Sequence, residues 1–156
     1  MQITAREDIE APIEAVFAEA SDFPAFERQA LRRGADVRRV DGEGEIGEGT
    51  AWEIRFQFRG REREVRADIV QFEPPQAYAV TSSTGGLEGL TYVECVALAR
   101  SRTRITMVTE FSARTLPARL LLQSLKLARG KLTKRLTART AHFAREVEAR
   151  WQRRGA

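Results

Sequence analysis

Trp52-Glu53-Ile54-Arg55-Phe56-Gln57-Phe58 alternates large apolar side chains with charged or polar ones. A period of two is the mark of a β-strand with one dry and one wet face. The next residues, Arg59-Gly60-Arg61, read as a turn, after which Val65, Ala67 and Ile69 alternate with Glu64, Arg66 and Asp68. This second strand therefore returns beside the first. Its phase slips at Val70 and Phe72, as a bulge would make it, and Pro74-Pro75 ends it. Downstream, Ala77–Ser83, Leu90–Ala99 and Thr103–Ala113 supply three more strands, the last with Ile105, Met107, Thr109 and Phe111 on one face. Upstream, Asp36–Asp41 adds a weaker one. From Ala35 to Ala113 the connections are short, so the sheet is expected to be antiparallel and ordered largely as a meander.

Outward from the sheet the period changes. Gln2–Glu10 is a short strand, with Ile3 and Ile9 able to share a face, bringing the expected count to about seven. Ala11–Ala20 places Pro12 where a first helical turn tolerates it and spaces Ile13, Val16, Phe17 and Ala20 as a helix does. Ser21 or Asp22 can cap a second short helix, Pro24–Arg28. At the other end, after Thr115 and Pro117, one amphipathic helix is expected to run to about Trp151, with Leu121, Leu125, Ala128, Leu132, Leu136, Phe143, Val147 and Trp151 recurring at helical steps. Unbroken, such a rod would be roughly 50 Å long and would cover the concave side of the sheet. Gly130 in its middle is read as close packing or drift, and alternatively as a kink or a space left for a ligand.

Length and composition narrow the function classes. At 156 residues, with 42% hydrophobic and 31% charged side chains, the chain is expected to be one globular domain over 1–156. It has no apolar run of membrane-spanning length and no secretory-type apolar opening, so a cytoplasmic location is expected. One cysteine, Cys95, and one histidine, His142, do not make an ordinary zinc site, and no metal or cofactor is expected. Charge is uneven: Arg114–Arg154 holds 12 basic and 2 acidic residues, a net +10 in a chain whose total is +4.

The order strand, two short helices, six strands and a long terminal helix resembles the helix-grip fold of the SRPBCC superfamily, which gathers START-type lipid-transfer domains and polyketide cyclase/dehydrase-like proteins. The residues that carry the likeness are Ile9–Phe17 at the strand-to-helix opening, the hairpin Arg102–Thr106, and the terminal helix. The resemblance covers the whole chain and implies an α+β fold, a curved sheet wrapped around the long helix, and a cavity between them for a lipophilic molecule. It implies no shared catalytic set.

Taken with that cavity, the alternation assigns wall residues. Trp52, Ile54, Phe56, Val65, Ala67, Ile69, Tyr78, Val80, Val96, Leu98, Ile105, Met107 and Phe111 are expected to face the helix, and Leu125 to meet them from it. The ligand-binding candidates are Trp52, Ile54, Phe56, Ile69, Tyr78, Tyr92, Glu94, Met107 and Leu125. Extending the phase of Val96 and Leu98 places Tyr92 and Glu94 on the inner face. An inward Glu94 could orient a ligand hydroxyl or act as a general acid or base, and it is the one weak catalytic candidate. Thr109 and Ser82 are lesser polar contributors.

Three further features have plainer readings. Gly42-Glu43-Gly44-Glu45-Ile46-Gly47 spells GxGxxG, but it leads into a strand and carries carboxylates that repel phosphate; a rim loop over the cavity is expected instead. His142 is read as a boundary residue and Cys95 as a small packed one. The basic face with Arg119, Lys126, Arg129, Lys131, Lys134, Arg135 and Arg139 is read first as a solvated face, then as a site for an anionic membrane, helped by Leu120-Leu121-Leu122. Nucleic acid is disfavoured, for no stacking aromatics are interleaved with the charge.

The resulting expectation is reversible binding of a hydrophobic small molecule, lipid- or polyketide-like, by a carrier or sensor. The alternatives are a cyclase or dehydratase using Glu94, and a membrane-surface protein using the basic helix.

Overall fold

The computed structural model describes residues 1–155. Strand β1 (Gln2–Ile9) leads into helices α1 (Ile13–Ala20) and α2 (Phe23–Arg32). Six strands follow: β2 (Asp36–Arg39), β3 (Ala51–Phe58), β4 (Arg61–Glu73), β5 (Ala77–Thr84), β6 (Leu87–Ala99) and β7 (Arg102–Ala113). Helices α3 (Leu116–Leu127) and α4 (Arg129–Arg154) end the chain. The seven strands form one antiparallel sheet in the order β1-β7-β6-β5-β4-β3-β2. It is the meander expected, closed on one side by β1, and the whole is the α+β helix-grip fold.

Local chemistry sets the joints. Asp22 accepts a 3.2 Å hydrogen bond from the Ala25 amide and so caps α2, which satisfies one of the free donors of its first turn. Arg59 and Gly60 both adopt positive φ, 53° and 73°, giving the tight hairpin between β3 and β4 a twist that matches its strands. Register shifts between Ile69 and Gln71: the expected bulge lies at Val70 and returns Phe72 to the inner face opposite Tyr78.

The inner face carries the core. Ile9, Val16, Phe17, Phe23, Trp52, Ile69, Tyr78, Val93 and Ile105 form one buried cluster with Ala144 and Val147 of α4. Tyr78 ties two layers together, its hydroxyl donating to the Ala20 carbonyl at 2.7 Å, and burial raises the phenol pKa well above its ordinary value. The Thr103 hydroxyl likewise donates to the Ala11 carbonyl at 2.8 Å.

The C-terminal rod differs from expectation in one respect: it is two helices. Ala128, with φ −92° and ψ 9°, lies between them outside helical geometry. The break is two residues before Gly130, which lies inside α4 with nothing within 4 Å of an added Cβ. Helix α3 rests on β6 and β7, whereas α4 lies against β1, so the break falls where the rod passes from one set of strands to the next.

The Gly42–Gly49 segment is anchored and does not act as a loose rim. The Arg39 guanidinium donates to Asp41 at 3.2 and 2.7 Å and to the Gly44 carbonyl at 2.9 Å, and Asp41 accepts from the Ala51 amide. The Arg39 hydrogen bonds hold the Asp41 carboxyl at about 2. Strand β3 follows the segment, so the helix a dinucleotide fingerprint requires is replaced by a strand.

Candidate functional site

Between α2 and α4, above the inner face of β5–β7, lies a cleft of about 500 Å³. Its floor is made by Tyr78, Val93 and Ile105, all buried, with Ala20 at one side. These side chains point inward because β6 and β7 pair Val93 with Met107 and Cys95 with Ile105, and directly opposed residues share a face. Phe143 and Leu136 of α4 form one wall. The rim is different in chemistry: Gln29 and Arg33 near α2 face Arg139, His142 and Glu146 on α4.

A smaller apolar compartment of about 160 Å³ adjoins it, lined by Phe23, Ala30, Val37, Trp52, Ile54, Ala67 and Val80. Phe26 borders both spaces and stands edge-on to Phe23 at 5.8 Å. The Trp52 indole donates to Glu27 at 2.6 Å, so a carboxylate does border the apolar space, and it belongs to α2.

Several residues expected in the wall lie elsewhere. Glu94 and Tyr92 are on the outer face of the sheet. Val96 and Leu98 share that face and remain 46% and 43% exposed, while their neighbours Val93 and Cys95 are buried inside. The reason is that β6 is apolar on both faces, so its own pattern does not settle its phase, whereas pairing to Ile105 and Met107 does. A cavity role for Glu94 is thereby removed, and with it the proposed acid or base. Ile69 is packed solid in the core. Phe56 lines a shallow hollow with Gln29 and Arg33, outside the main cleft. Leu125 sits half-buried on α3 and does not line the cleft, nor does the Gly42–Gly49 segment. Tyr78 and Met107 line the main cleft; Trp52 and Ile54 line the side compartment.

Sequence reasoning missed the α2 and α4 contributions. Phe26, Gln29 and Arg33 recur at steps of three and four, a signal that a longer second helix would have shown. His142, read as a boundary residue, is at the rim, with Nε2 2.7 Å from Glu146 Oε1. Glu146 also meets Arg150 at 3.3 Å, and Arg150 pairs with Glu19. The pair is one turn of α4 apart and stands exposed at the cleft mouth. Arg33 and Arg139 have no carboxylate within ion-pair distance among the described residues, so both guanidinium groups are free to meet a ligand. Among the described residues no group of three His, Cys, Asp or Glu side chains is placed to hold a metal ion. Cys95 is buried, and burial pushes its thiol up to about 12, which keeps it protonated and unreactive at neutral pH. No described helix is long and apolar enough to cross a membrane.

No curated protein matches the chain by sequence. The fold is shared with solved structures of low identity. A protein of Thermus thermophilus aligns with TM-score 0.65 and 15% identity, covering 96% of this chain and 98% of its own. The Zhui aromatase/cyclase of Streptomyces sp. R1128 aligns with TM-score 0.65 and 13% identity, over 96% and 94%. Norcoclaurine synthase of Thalictrum flavum, solved with a transition-state analogue, aligns with TM-score 0.65 and 16% identity, over 94% and 93%. The family model described as polyketide cyclase / dehydrase and lipid transport matches residues 1–148, and the chain belongs to that family, within the SRPBCC superfamily that its opening and terminal helices resemble.

Proposed function

We propose that this chain, acting as one domain, reversibly binds a hydrophobic small molecule, lipid- or polyketide-like, in the α2–α4 cleft, as a carrier or sensor. The observation that carries the reading is the cleft itself: about 500 Å³, the size at which drug- or lipid-fragment-sized ligands are held, over an apolar floor at the seam of sheet and helix. Binding there is driven by burial of apolar ligand surface, worth about 25 cal/mol per Å². The unpaired guanidiniums of Arg33 and Arg139 at the rim favour a ligand with an acidic or strongly polar end facing water. The family description and the small-molecule chemistry named for the norcoclaurine synthase complex support a cavity-centred function.

The test is uptake of a fluorescent fatty acid and of an uncharged analogue with the same tail, alongside native mass spectrometry of freshly purified protein. Met107→Trp, which fills the cleft from a half-buried position, is expected to weaken both probes by at least about tenfold. Arg139→Gln is expected to weaken only the acid, by about tenfold. Absence of uptake by the wild-type protein, or equal affinity in Met107→Trp, rejects the reading.

A second reading, a cyclase or dehydratase, now depends on His142 and Glu146. It expects Glu146→Gln to abolish turnover of a cyclisable polyketide-like substrate while leaving probe uptake intact.

A further inference from the structure

Helix α3 is apolar on two opposite sides. Toward the sheet it buries Ala118, with Leu122 and Leu125 half-buried beside it, against β6 and β7. Away from the sheet, Leu116, Leu120 and Leu127 are 69%, 64% and 92% exposed. At 3.6 residues per turn these three lie within about 40° of one another around the helix, so they form a single aliphatic ridge. Scattered exposed leucines are ordinary; three aligned on one helix, with no neighbouring element over them, are a surface.

The chain around the ridge is basic, with Arg114 at its start paired to Glu88 of β6 at 3.0 Å. From Arg114 to Arg145, both included, there are nine Lys or Arg residues and no acidic one. Arg119 and Lys126 stand about a quarter-turn from the leucines, and the exposed Arg129, Lys131 and Lys134 continue the field along the first turns of α4.

We propose that α3 docks this protein on an anionic lipid surface, with Leu116, Leu120 and Leu127 entering the headgroup–acyl boundary and Arg119, Lys126, Arg129 and Lys131 meeting the headgroups. The occupant follows from charge and shape together. A second copy presenting the same ridge would bring two like-charged basic fields together, which disfavours self-association. A convex ridge of flexible aliphatic side chains ringed by cations suits a fluid, negatively charged layer, in which apolar insertion and headgroup attraction act at once. The docking surface is separate from the α2–α4 cleft, whose lining includes no α3 residue, so it stands or falls independently of ligand binding.

The experiment is co-sedimentation of the full chain with phosphatidylcholine vesicles, with and without phosphatidylserine, at low and high salt. The wild-type protein is expected to bind only the phosphatidylserine vesicles and to be released as salt shortens the Debye length. The triple variant Leu116→Gln/Leu120→Gln/Leu127→Gln removes no packed side chain and is expected to stay folded by circular dichroism, while vesicle affinity falls about a hundredfold. Lys126→Gln and Lys131→Gln are each expected to lower affinity about fivefold and to flatten the salt dependence. Equal binding of the triple variant and wild type overturns the proposal, as does wild type that ignores both vesicle types. A concentration-dependent dimer in sedimentation velocity that the triple variant abolishes would assign the ridge to a second copy and overturn it equally.

Discussion

Helices α3 and α4 follow one another with a single residue between them, and both are basic, yet they treat their side chains in opposite ways. Helix α4 buries small ones: Thr140, Ala144 and Val147 are covered, allowing it to lie close to β1. Helix α3 buries only Ala118 and leaves some of its largest apolar side chains outside. The lesson is that apolar periodicity shows where a helix has a face, and the neighbours available decide whether that face is covered.

The contrast is broken most severely by placing the same charge in both helices. Val147→Asp sets an unpartnered carboxylate in the core and is expected to cost at least about 4 kcal/mol, leaving little folded protein. Leu120→Asp, in a larger side chain of the same periodic type, is expected to change stability by less than about 0.5 kcal/mol. Urea denaturation of the two variants makes the comparison; similar losses would mean that α3 is packed after all.

A smaller effect sharpens how α3 is held. Gly86 has φ +85°, and a Cβ there would lie 2.5 Å from the Thr115 hydroxyl oxygen, the group that caps α3 by accepting from the Ala118 amide at 3.2 Å. Gly86→Ala therefore combines a left-handed backbone penalty with displacement of the cap and is expected to cost about 2 kcal/mol. A thermal melt of the Gly86→Ala protein checks it, and an unchanged midpoint would show that Thr115 is not needed to seat the helix. The smallest change has the opposite sign. Gly130 lies in ordinary helical conformation with open space around it, so Gly130→Ala is expected to stabilise by about 1 kcal/mol. A loss there would restore the kink to Gly130 and take it from Ala128.

Much of the fold was legible because its determinants are local. Alternation at Trp52–Phe58, the turn at Arg59-Gly60, the slip at Val70 and the proline-led helix at Pro12 each depend on residues within a few positions of one another. The site was less legible. Tyr78 and Met107 were found as cleft residues from alternation, but Glu94 and Tyr92 were placed on the wrong side because β6 carries apolar residues on both faces. Arg139 and His142 gave no periodic signal, and Arg33 only the helical step from Phe26 and Gln29: they are polar groups at the surface, and only the approach of α2 to α4 makes them a rim.

By itself, then, the order of residues determined the elements, their sequence along the chain and the excess of cations at the C-terminal end, since propensity, period and charge are properties of short windows. The tertiary structure alone decided which face of β6 is inner, where the terminal rod divides and which polar groups surround the cleft. Each of these depends on partners distant in sequence: Ile105 and Met107 beside β6, β1 beneath α4 and β6–β7 beneath α3, and α2 across the cleft from α4.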